Sequence, residues 1–456
     1  MTAADIAGDR PLRIGSGAGY AGDRWEPALD LVERGGIDIL VFECLAERTI
    51  AREALSRRNE QSAGYNPLLA ERIRSVLPAA RARGVRIVSN MGAANPEAAA
   101  ETVTGIARAE GLAGTKVAAL LGDDVLPWVL AHPELTFMET GERLGGIAGR
   151  IVSANAYLGA DAILQALGTG ADVVITGRVA DPALFLAPAM AAHGWAPGDP
   201  RLGQGCAMGH LMECAGQITG GYFADPGIAG GVKDVPEPWA LGFPHADIWA
   251  DGRVRIGKVA GTGGRIDRMT CTEQLLYELH DPAAYVTPDC VLDVTDVDFI
   301  QIAPDLVEVT GARAAPRPDS LKVSVGYLEG WIGEGQLSYA GINAEARARL
   351  AGEIVRRRLA QRGLHYDDLR VELIGMESLH GPARARPAPY EVRLRVAGRS
   401  ADAQAAAIVG QEVETLLTNG PAGGAGDFKA VREILRVQSV LIPRSEIRTQ
   451  VKLFTA

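Results

Sequence analysis

The sequence predicts an α/β protein, with a parallel-sheet α/β domain over residues 1–230 and a β-rich α+β region over residues 231–456. In the first part, short apolar runs alternate with stretches of helical period, which is typical of βαβ units. These runs show no polar alternation, as expected for strands buried on both faces. From about Gly230 strand-like runs follow one another with short turns. A chain of 456 residues is also too long for one ordinary core.

Five apolar runs in the first part predict the strands of a parallel sheet. They are Leu12–Ile14, Ile37–Phe42, Val85–Ser89, Lys116–Leu121 and Asp172–Thr176. The helix after the second strand stops at Gly84, a residue suited to the left-handed end of a helix. The next helix has Asn95 as its N-cap and Pro96 in its first turn.

The second part begins with a hairpin, since strand-like runs flank Asp251-Gly252. Further strands follow, and then a helix that Gly363 closes. The last segment gives two strands, a helix, a glycine loop and a final strand. We expect a small α+β layer, ferredoxin-like in style, that packs on the first domain.

Composition and charge narrow the functional class. A formal net charge of −10 argues against nucleic acid or an anionic membrane as the main partner. No signal peptide and no apolar run long enough to span a membrane is evident. The five cysteines are scattered and lack CxxC spacing, which favours reduced thiols in a cytoplasm. We therefore expect a cytoplasmic homo-oligomer that acts on a small molecule.

Polar residues follow each predicted strand, at the edge where parallel sheets bind ligands. They are Gly15, Ser16, Gly17, Gly19 and Asp23 after the first strand, Glu43 and Glu47 after the second, Asn90, Gly92 and Asn95 after the third, Gly122, Asp123 and Asp124 after the fourth, and Thr176, Gly177, Arg178 and Asp181 after the fifth. Five such loops in succession predict a ligand site at this edge.

Several of these residues have structural alternatives. Asp23 and Glu47 would also suit the first turn of a helix, because acids are favourable there. Arg178 would hold a substrate carboxylate or phosphate in a bidentate fork, or pair internally with Asp181. The sequence leaves both alternatives open.

The glycines near the start do not complete a dinucleotide fingerprint. Gly15 and Gly17 fit its first two positions and Glu43 its distant acid, but Tyr20 stands where the third glycine belongs. NAD or NADP is therefore a minor alternative, and the sequence indicates no particular cofactor.

A second polar cluster lies at His210, Glu213 and Cys214, with the i, i+3, i+4 spacing of one helical face. It would serve as a Cys–His nucleophile pair with an orienting acid, contribute to a metal site, or form a satisfied helix face. The nearby loop Thr219-Gly220-Gly221 supplies backbone donors suited to an oxyanion or phosphate. A later glycine loop, at Thr262, Gly263 and Gly264, suggests a close approach of the backbone to a ligand or subunit.

Four segments, at residues 13–49, 174–184, 261–289 and 419–426, together resemble the acyclic terpene utilisation (AtuA-like) family. The resemblance implies a bacterial protein associated with acyl-CoA catabolism of citronellol- and geraniol-type compounds. The motifs carried over are Gly22-Asp23, Ala46-Glu47, Gly177-Arg178, Asp181, Thr262 to Gly264, and Glu273 with Tyr277 and Glu278. Cys44 stands where the family has a tyrosine, which weakens any tyrosine chemistry at that position.

These observations predict a hydratase or lyase that acts on a CoA thioester or hydroxy acid. Such reactions need a base beside a carbonyl and donors for the enolate oxygen. The catalytic candidates are Glu47, Glu43, His210 and Asp23. The substrate-binding candidates are Gly17, Gly19, Asn90, Arg178, Asp181, Thr262, Gly263 and Gly264. No metal ligand is assigned. The alternatives are a non-catalytic acyl-CoA-binding or scaffolding subunit and, more remotely, a metal-dependent hydrolase using His210.

Overall fold

The computed structural model describes residues 10–381 and 389–456, which divide into two compact units. The first unit runs to Gly326 and resumes at Val437, and the second unit spans Tyr327–Arg436. This division falls well after residue 230, where the sequence predicts the boundary. The chain is mixed α/β, as predicted, with one large sheet that contains parallel strands and further antiparallel sheets.

The elements alternate along the first half and become strand-rich in the second. The helices are α1 (Glu26–Arg34), α2 (Glu47–Asn59), α3 (Leu69–Arg83), α4 (Pro96–Ala109), α5 (Leu126–Leu130), α6 (Ala160–Leu167), α7 (Ala183–His193), α8 (Leu202–Met212), α9 (Arg268–Leu276), α10 (Ala344–Gln361), α11 (Ala403–Glu414) and α12 (Leu416–Asn419). The strands are β1 (Leu12–Ala18), β2 (Ile39–Phe42), β3 (Arg86–Ser89), β4 (Lys116–Leu121), β5 (Ile151–Ala156), β6 (Val173–Thr176), β7 (Pro244–Ile248), β8 (Val254–Lys258), β9 (Tyr285–Val286), β10 (Val291–Asp293), β11 (Asp298–Ala303), β12 (Leu306–Thr310), β13 (Arg313–Ala315), β14 (Ser320–Ala340), β15 (Asp368–Ile374), β16 (Glu391–Ser400), β17 (Ala425–Pro443) and β18 (Gln450–Thr455).

The described residues form a ten-stranded sheet in the first unit, in the order β11-β12-β8-β7-β1-β2-β3-β6-β4-β18. Its middle strands β1, β2, β3, β6 and β4 are parallel, and all five were predicted. They are apolar because helices cover both faces, so β2 and β6 are buried at every residue. The hairpin β7–β8 and strands β11 and β12 extend the sheet in antiparallel fashion.

Strand β1 is longer than predicted, so Gly15 and Gly17 lie in a strand and not in a loop. Gly15 and Ser16 pair with Leu40 and Val41 inside the sheet instead of forming a loop. A Cβ on Gly17 would lie 2.9 Å from the Phe42 ring, so this glycine allows β1 to pack closely. The phosphate-binding loop of a dinucleotide fingerprint is therefore not formed at these residues.

The predicted helix ends are confirmed at two places. Asn95 caps α4, since its side-chain oxygen accepts a hydrogen bond from the N–H of Ala98 at 3.4 Å. Gly84 ends α3 with a φ of +70°, the left-handed conformation in which glycine is favoured. Strand β5 and strand β18 were not predicted, and β18 covers the β4 edge of the large sheet.

The second unit contains the part of β14 from Tyr327 onward, α10, β15, β16, α11, α12 and the part of β17 up to Arg436. Its strand order is β15-β16-β14-β17, with β16 antiparallel to both β14 and β15. Helices α10 and α11 pack on this sheet around a core of Leu337, Val355 and Leu394. Among residues 10–381 and 389–456, no helix combines the length and the apolar character that crossing a bilayer requires.

Candidate functional site

The carboxyl ends of the parallel strands carry a cluster of buried polar groups in the first unit. Glu43 follows β2, and its Oε1 accepts hydrogen bonds from the N–H of Leu45 at 2.8 Å and from Nδ2 of Asn90 at 2.9 Å. Asn90 follows β3, and its Oδ1 accepts from the N–H of Cys44 at 2.7 Å. The sequence predicted both Glu43 and Asn90 here, and the two loops lock each other in place.

Arg178, which follows β6, is the central cation of the cluster and is only 1% exposed. Its guanidinium donates to the carbonyl of Leu45 and, at 2.9 Å, to Oδ1 of Asp181. The same group lies over the Tyr157 ring, 4.1 Å from the ring centroid. Of the two alternatives for Arg178, the internal pair with Asp181 is therefore formed.

Glu47 begins α2 and binds two residues from distant segments. Tyr157 donates its hydroxyl hydrogen to Oε1 of Glu47, and Lys322 Nζ lies 3.3 Å from the same oxygen. Tyr157 follows β5, and Lys322 lies in β14, where its carbonyl accepts from the N–H of Tyr157. A predicted acid thus meets two residues that sequence reasoning missed.

Asp123 holds the backbone of Arg178 in place by a hydrogen bond. Its Oδ2 accepts from the N–H of Arg178 at 2.8 Å and from Nδ2 of Asn155 at 2.9 Å. A Cβ on Gly177 would lie 2.4 Å from this carboxylate, so the residue before the arginine has to be glycine. Burial raises the pKa of Asp123 to about 6, although these hydrogen bonds partly oppose the shift.

The acids of the cluster have divergent pKa values. Burial raises the pKa of Glu43 to about 7, and the nearby Glu213 adds to the rise. Burial also raises the pKa of Asp181 well above its ordinary value, despite the pair with Arg178. For Glu47, the opposing effect of burial is outweighed by Arg178, Tyr157 and Lys322, which hold its pKa at about 2. Two acids with raised pKa values thus lie beside one whose pKa is lowered.

A cavity of about 460 Å³, called here the apolar cavity, opens beside this cluster. Its polar groups include Asp181, Tyr157 and Lys322. The other lining residues are mostly apolar or uncharged: Met138, Ala180, Pro182, Tyr285, Val286, Thr287, Pro288, Pro318, Ser320, Leu321 and Leu441. Asp181 is 32% exposed, whereas Arg178 behind it is buried. The cavity therefore presents an acid of raised pKa and a lysine to a ligand with an apolar body.

His210 lies at the end of α8 with both ring nitrogens engaged. Nδ1 is 3.0 Å from Oε1 of Glu213, and Nε2 is 3.0 Å from the carbonyl oxygen of Leu275. Burial alone would lower the pKa of His210, but Glu213 and this carbonyl raise it. No ring nitrogen is left to activate Cys214, whose thiol pKa is raised by burial. Both ring nitrogens of His210 have structural partners, so this geometry is not that of a Cys–His nucleophile pair.

The remaining predicted residues have local roles. The N–H of Gly19 donates to Asp23 at 2.9 Å, and Gly19 lies against the backbone of Cys214, where a Cβ would be 2.4 Å from the carbonyl carbon. In the glycine loop at Thr262–Gly264, the N–H groups of Gly263 and Gly264 donate to the carbonyls of Ala240 and Pro236. The hydroxyl of Thr262 donates to the carbonyl of Val259. These backbone donors are occupied, so the loop supplies no free oxyanion donor through them.

The sequence gives only weak indications that Tyr157 and Lys322 belong to the site. Tyr157 follows a run, IVSANA, in which Ser153 and Asn155 interrupt the apolar pattern. Lys322 belongs to the alternating series Ser320, Lys322, Ser324, which indicates one polar face of a strand. In the described ranges, no group of three or more His, Cys, Asp or Glu side chains is arranged to hold a metal ion.

Comparisons with known proteins give one match. The family model described as "Acyclic terpene utilisation family protein AtuA" matches residues 12–453, nearly the whole chain. Neither the curated proteins nor the solved structures gave a match to this chain.

Proposed function

Because the chain belongs to the acyclic terpene utilisation family AtuA, we propose that it is a catabolic enzyme of the hydratase or lyase type. Family membership indicates a part in acyclic terpene utilisation. The proposed substrate is the CoA thioester of a branched, terpene-derived acid, or the corresponding hydroxy acid. The proposed place of reaction is the apolar cavity of the first unit.

The shape and lining of the apolar cavity are the observation that carries this proposal. Acids derived from acyclic terpenes have a branched hydrocarbon chain and one polar head. The cavity offers apolar walls, with Met138, Val286 and Leu441 exposed. Its acid and its lysine would meet the polar head. A volume of about 460 Å³ lies within the usual range of about 300–1,000 Å³ for ligand sites.

Asp181 is the proposed acid–base group. Burial raises its pKa above the ordinary range of a carboxyl, which favours proton exchange, and it faces the cavity. In the direction of dehydration, the carboxylate would take the proton next to the carbonyl, and the acid so formed would return it to the leaving hydroxyl group. One water molecule leaves, and Asp181 is regenerated.

Lys322 is the proposed donor to the carbonyl oxygen on which negative charge develops. Its ammonium carries three hydrogens, so the contact with Glu47 leaves donors for a substrate. Glu47 is ionised and a weak base, and its proposed role is to hold Tyr157 and Lys322. Arg178 and Glu43 do not line the cavity, and their proposed role is to set the charge and position of Asp181.

The test measures turnover of CoA thioesters of branched, methyl-substituted unsaturated acids, with products identified by mass spectrometry. We expect Asp181→Asn to lower kcat by about 100-fold or more, because acid–base catalysis contributes about 10²–10⁴-fold. We expect Lys322→Met to lower kcat/KM by at least tenfold. The matched control is Asp225→Asn, an exposed acid of the same unit, which should leave the rate unchanged.

Two outcomes would contradict the proposal. Turnover that survives Asp181→Asn would remove the assigned acid–base group. Tight binding of the thioesters by the wild type without any turnover would favour the acyl-CoA-binding or scaffolding alternative.

For the second unit we infer a ferredoxin-like arrangement, which its β-α-β-β-α-β sequence of elements and its strand order support. A cytoplasmic location and a homo-oligomeric state stay predictions.

A further inference from the structure

A second cavity, called here the arginine cavity, lies in the first unit at the end of α2 opposite to Glu47. Its volume is about 660 Å³. Its polar lining comprises Arg57, Arg58, Gln61, Asp124, Ser153 and Asn155. Loops that follow β3 and β4 contribute to it, so it also lies at the carboxyl edge of the parallel sheet, where ligands bind in such folds. The proposed function makes no use of it.

Arg57 and Arg58 are exposed residues of the last turn of α2, and both line the arginine cavity. Basic residues are common in the last turn of a helix, because they complement the helix dipole. Here, however, Arg58 has no hydrogen bond and no carboxylate partner in the part of the chain that the structure describes. Arg57 is held in place, since its guanidinium donates to the carbonyl of Ala94 at 2.6 Å. One cation is thus fixed and its neighbour is available.

The other polar groups leave the cavity with a surplus of positive charge. Asp124 is its one acid, and Oδ1 of that acid already accepts from the N–H of Leu126 at 3.1 Å. Gln61, Ser153 and Asn155 add neutral hydrogen-bonding groups. The chain as a whole is acidic, with a net charge of −10, so a locally cationic cavity is a distinct feature.

We propose that the arginine cavity binds a phosphate-bearing metabolite of nucleotide size. The planar guanidinium fork matches phosphate oxygens, and two adjacent arginines would share one phosphate or diphosphate group. The neutral groups would contact the rest of the ligand. A volume of about 660 Å³ is much larger than inorganic phosphate needs, and it falls in the range of small-molecule sites.

The phosphate has two candidate sources. One is the nucleotide part of a CoA thioester whose acyl group lies in the apolar cavity, and this source rests on the proposed function. The other is a separate nucleotide. Along α2, Glu47 and Arg58 are about 16 Å apart at the usual helical rise. Asn155 lines the arginine cavity and binds Asp123, which in turn holds Arg178 behind the apolar cavity.

The test is calorimetric titration of the purified chain with CoA, ADP, ATP, inorganic phosphate and an acyl-pantetheine thioester, which lacks phosphate. The variant is the double change Arg57→Gln and Arg58→Gln. Its matched control is Arg48→Gln, an exposed arginine of the same helix that does not line the cavity. Melting temperatures of all variants establish that they are folded.

We expect at least one of CoA, ADP and ATP to bind, tenfold or more weakly to the double variant, and unchanged to Arg48→Gln. Tighter binding of CoA than of ADP or ATP would identify CoA as the source of the phosphate, because ADP is only a part of CoA. Tighter binding of ADP or ATP than of CoA would identify a separate nucleotide. The inference is overturned if none of the three binds, if the double variant binds them equally well, or if inorganic phosphate binds as tightly as they do. Acyl-pantetheine reports on the apolar cavity alone, so its failure to bind would count against the proposed function only.

Discussion

Buried carboxylates occur in both units of the molecule, but they are balanced in opposite ways. In the second unit, Glu412 is fully buried and meets two arginines: Arg358 binds Oε2, and Nε of Arg362 lies 2.7 Å from Oε1. In the first unit, three acids interact with Arg178, one of them also lies close to Lys322, and a fourth acid contacts His210. These acids are Glu43, Glu47, Asp181 and Glu213, which act on one another electrostatically.

The charges around Glu412 stabilise the structure, whereas those around Arg178 are arranged for chemistry. Glu412 pairs with two arginines, both of which remain nearly half exposed, so the arrangement ties α10 to α11. Around Arg178 the acids outnumber the cations, and burial makes their simultaneous ionisation costly. This is why the pKa values of Glu43 and Asp181 are raised. A surplus of acids with shifted pKa values beside a cavity is the arrangement expected of an acid–base site.

Arg178→Met should destabilise the protein more than any other single change considered for these charges. Removing the guanidinium leaves the acids of the first unit without their main cation, and the carbonyl of Leu45 without its donor. Loss of one partner of a buried ion pair costs about 3–5 kcal/mol. We expect the free energy of unfolding, measured by urea titration, to fall by that amount at pH 7.

Arg178→Lys is the control for charge alone. Lysine keeps the cation but cannot donate in the fork that reaches both Leu45 and Asp181. We expect a smaller loss than for Arg178→Met. Equal losses would show that the hydrogen bonds, and not the charge balance, stabilise the cluster.

Glu43 should make the stability of the first unit depend on pH. Its pKa is about 7 in the folded protein and ordinarily 4.5, so the stability it contributes is complete below pH 4.5 and is lost as the pH rises through 7. Glu43→Gln removes this loss. Relative to the wild type, the variant should therefore gain up to about 3 kcal/mol of unfolding free energy between pH 4.5 and pH 8.

Glu47, in the same cluster, should make stability depend on pH in the opposite direction. Its pKa is lowered to about 2, so its contribution is present above pH 4.5 and is lost as the pH falls toward 2. Urea titrations of Glu43→Gln, Glu47→Gln and the wild type across pH 3–8 separate the two. If Glu43→Gln shows no relative gain with rising pH, the surplus of acids does not hold a proton at that residue.

The ligand-binding edge of the parallel sheet could be predicted for two reasons. A strand buried on both faces needs an unbroken apolar run, and ligand-binding residues follow the carboxyl end of such a strand. That reasoning placed Glu43, Asn90 and Arg178 at one edge, where the structure brings them together. It also gave the pair between Arg178 and Asp181 as one of two alternatives, since three residues is a short reach along the chain.

The partners from distant segments could not be predicted in the same way. Tyr157 is separated from Glu47 by 110 positions and Lys322 by 275, so only the pairing of β5 with β14 brings them to the site. The sequence did not show β5 as a strand, because Ser153 and Asn155 interrupt its apolar pattern. Gly15 was predicted to lie in a loop but lies in β1. The sequence alone does not distinguish a glycine inside a strand from a glycine in a turn.

Among the changes to buried charges, Glu412→Gln in the second unit should cost the least stability. Its two arginines are nearly half exposed, so water solvates them when the carboxylate is removed, and we expect a loss of about 1–2 kcal/mol. The change should leave the rate of thioester turnover and the affinity for phosphate-bearing ligands at their wild-type values. A loss as large as that of Arg178→Met, or a change in turnover, would contradict the division between structural and chemical charges. The matched exposed pair Arg357–Glu353 on α10 sets the baseline, because its removal should cost no more than about 0.5 kcal/mol.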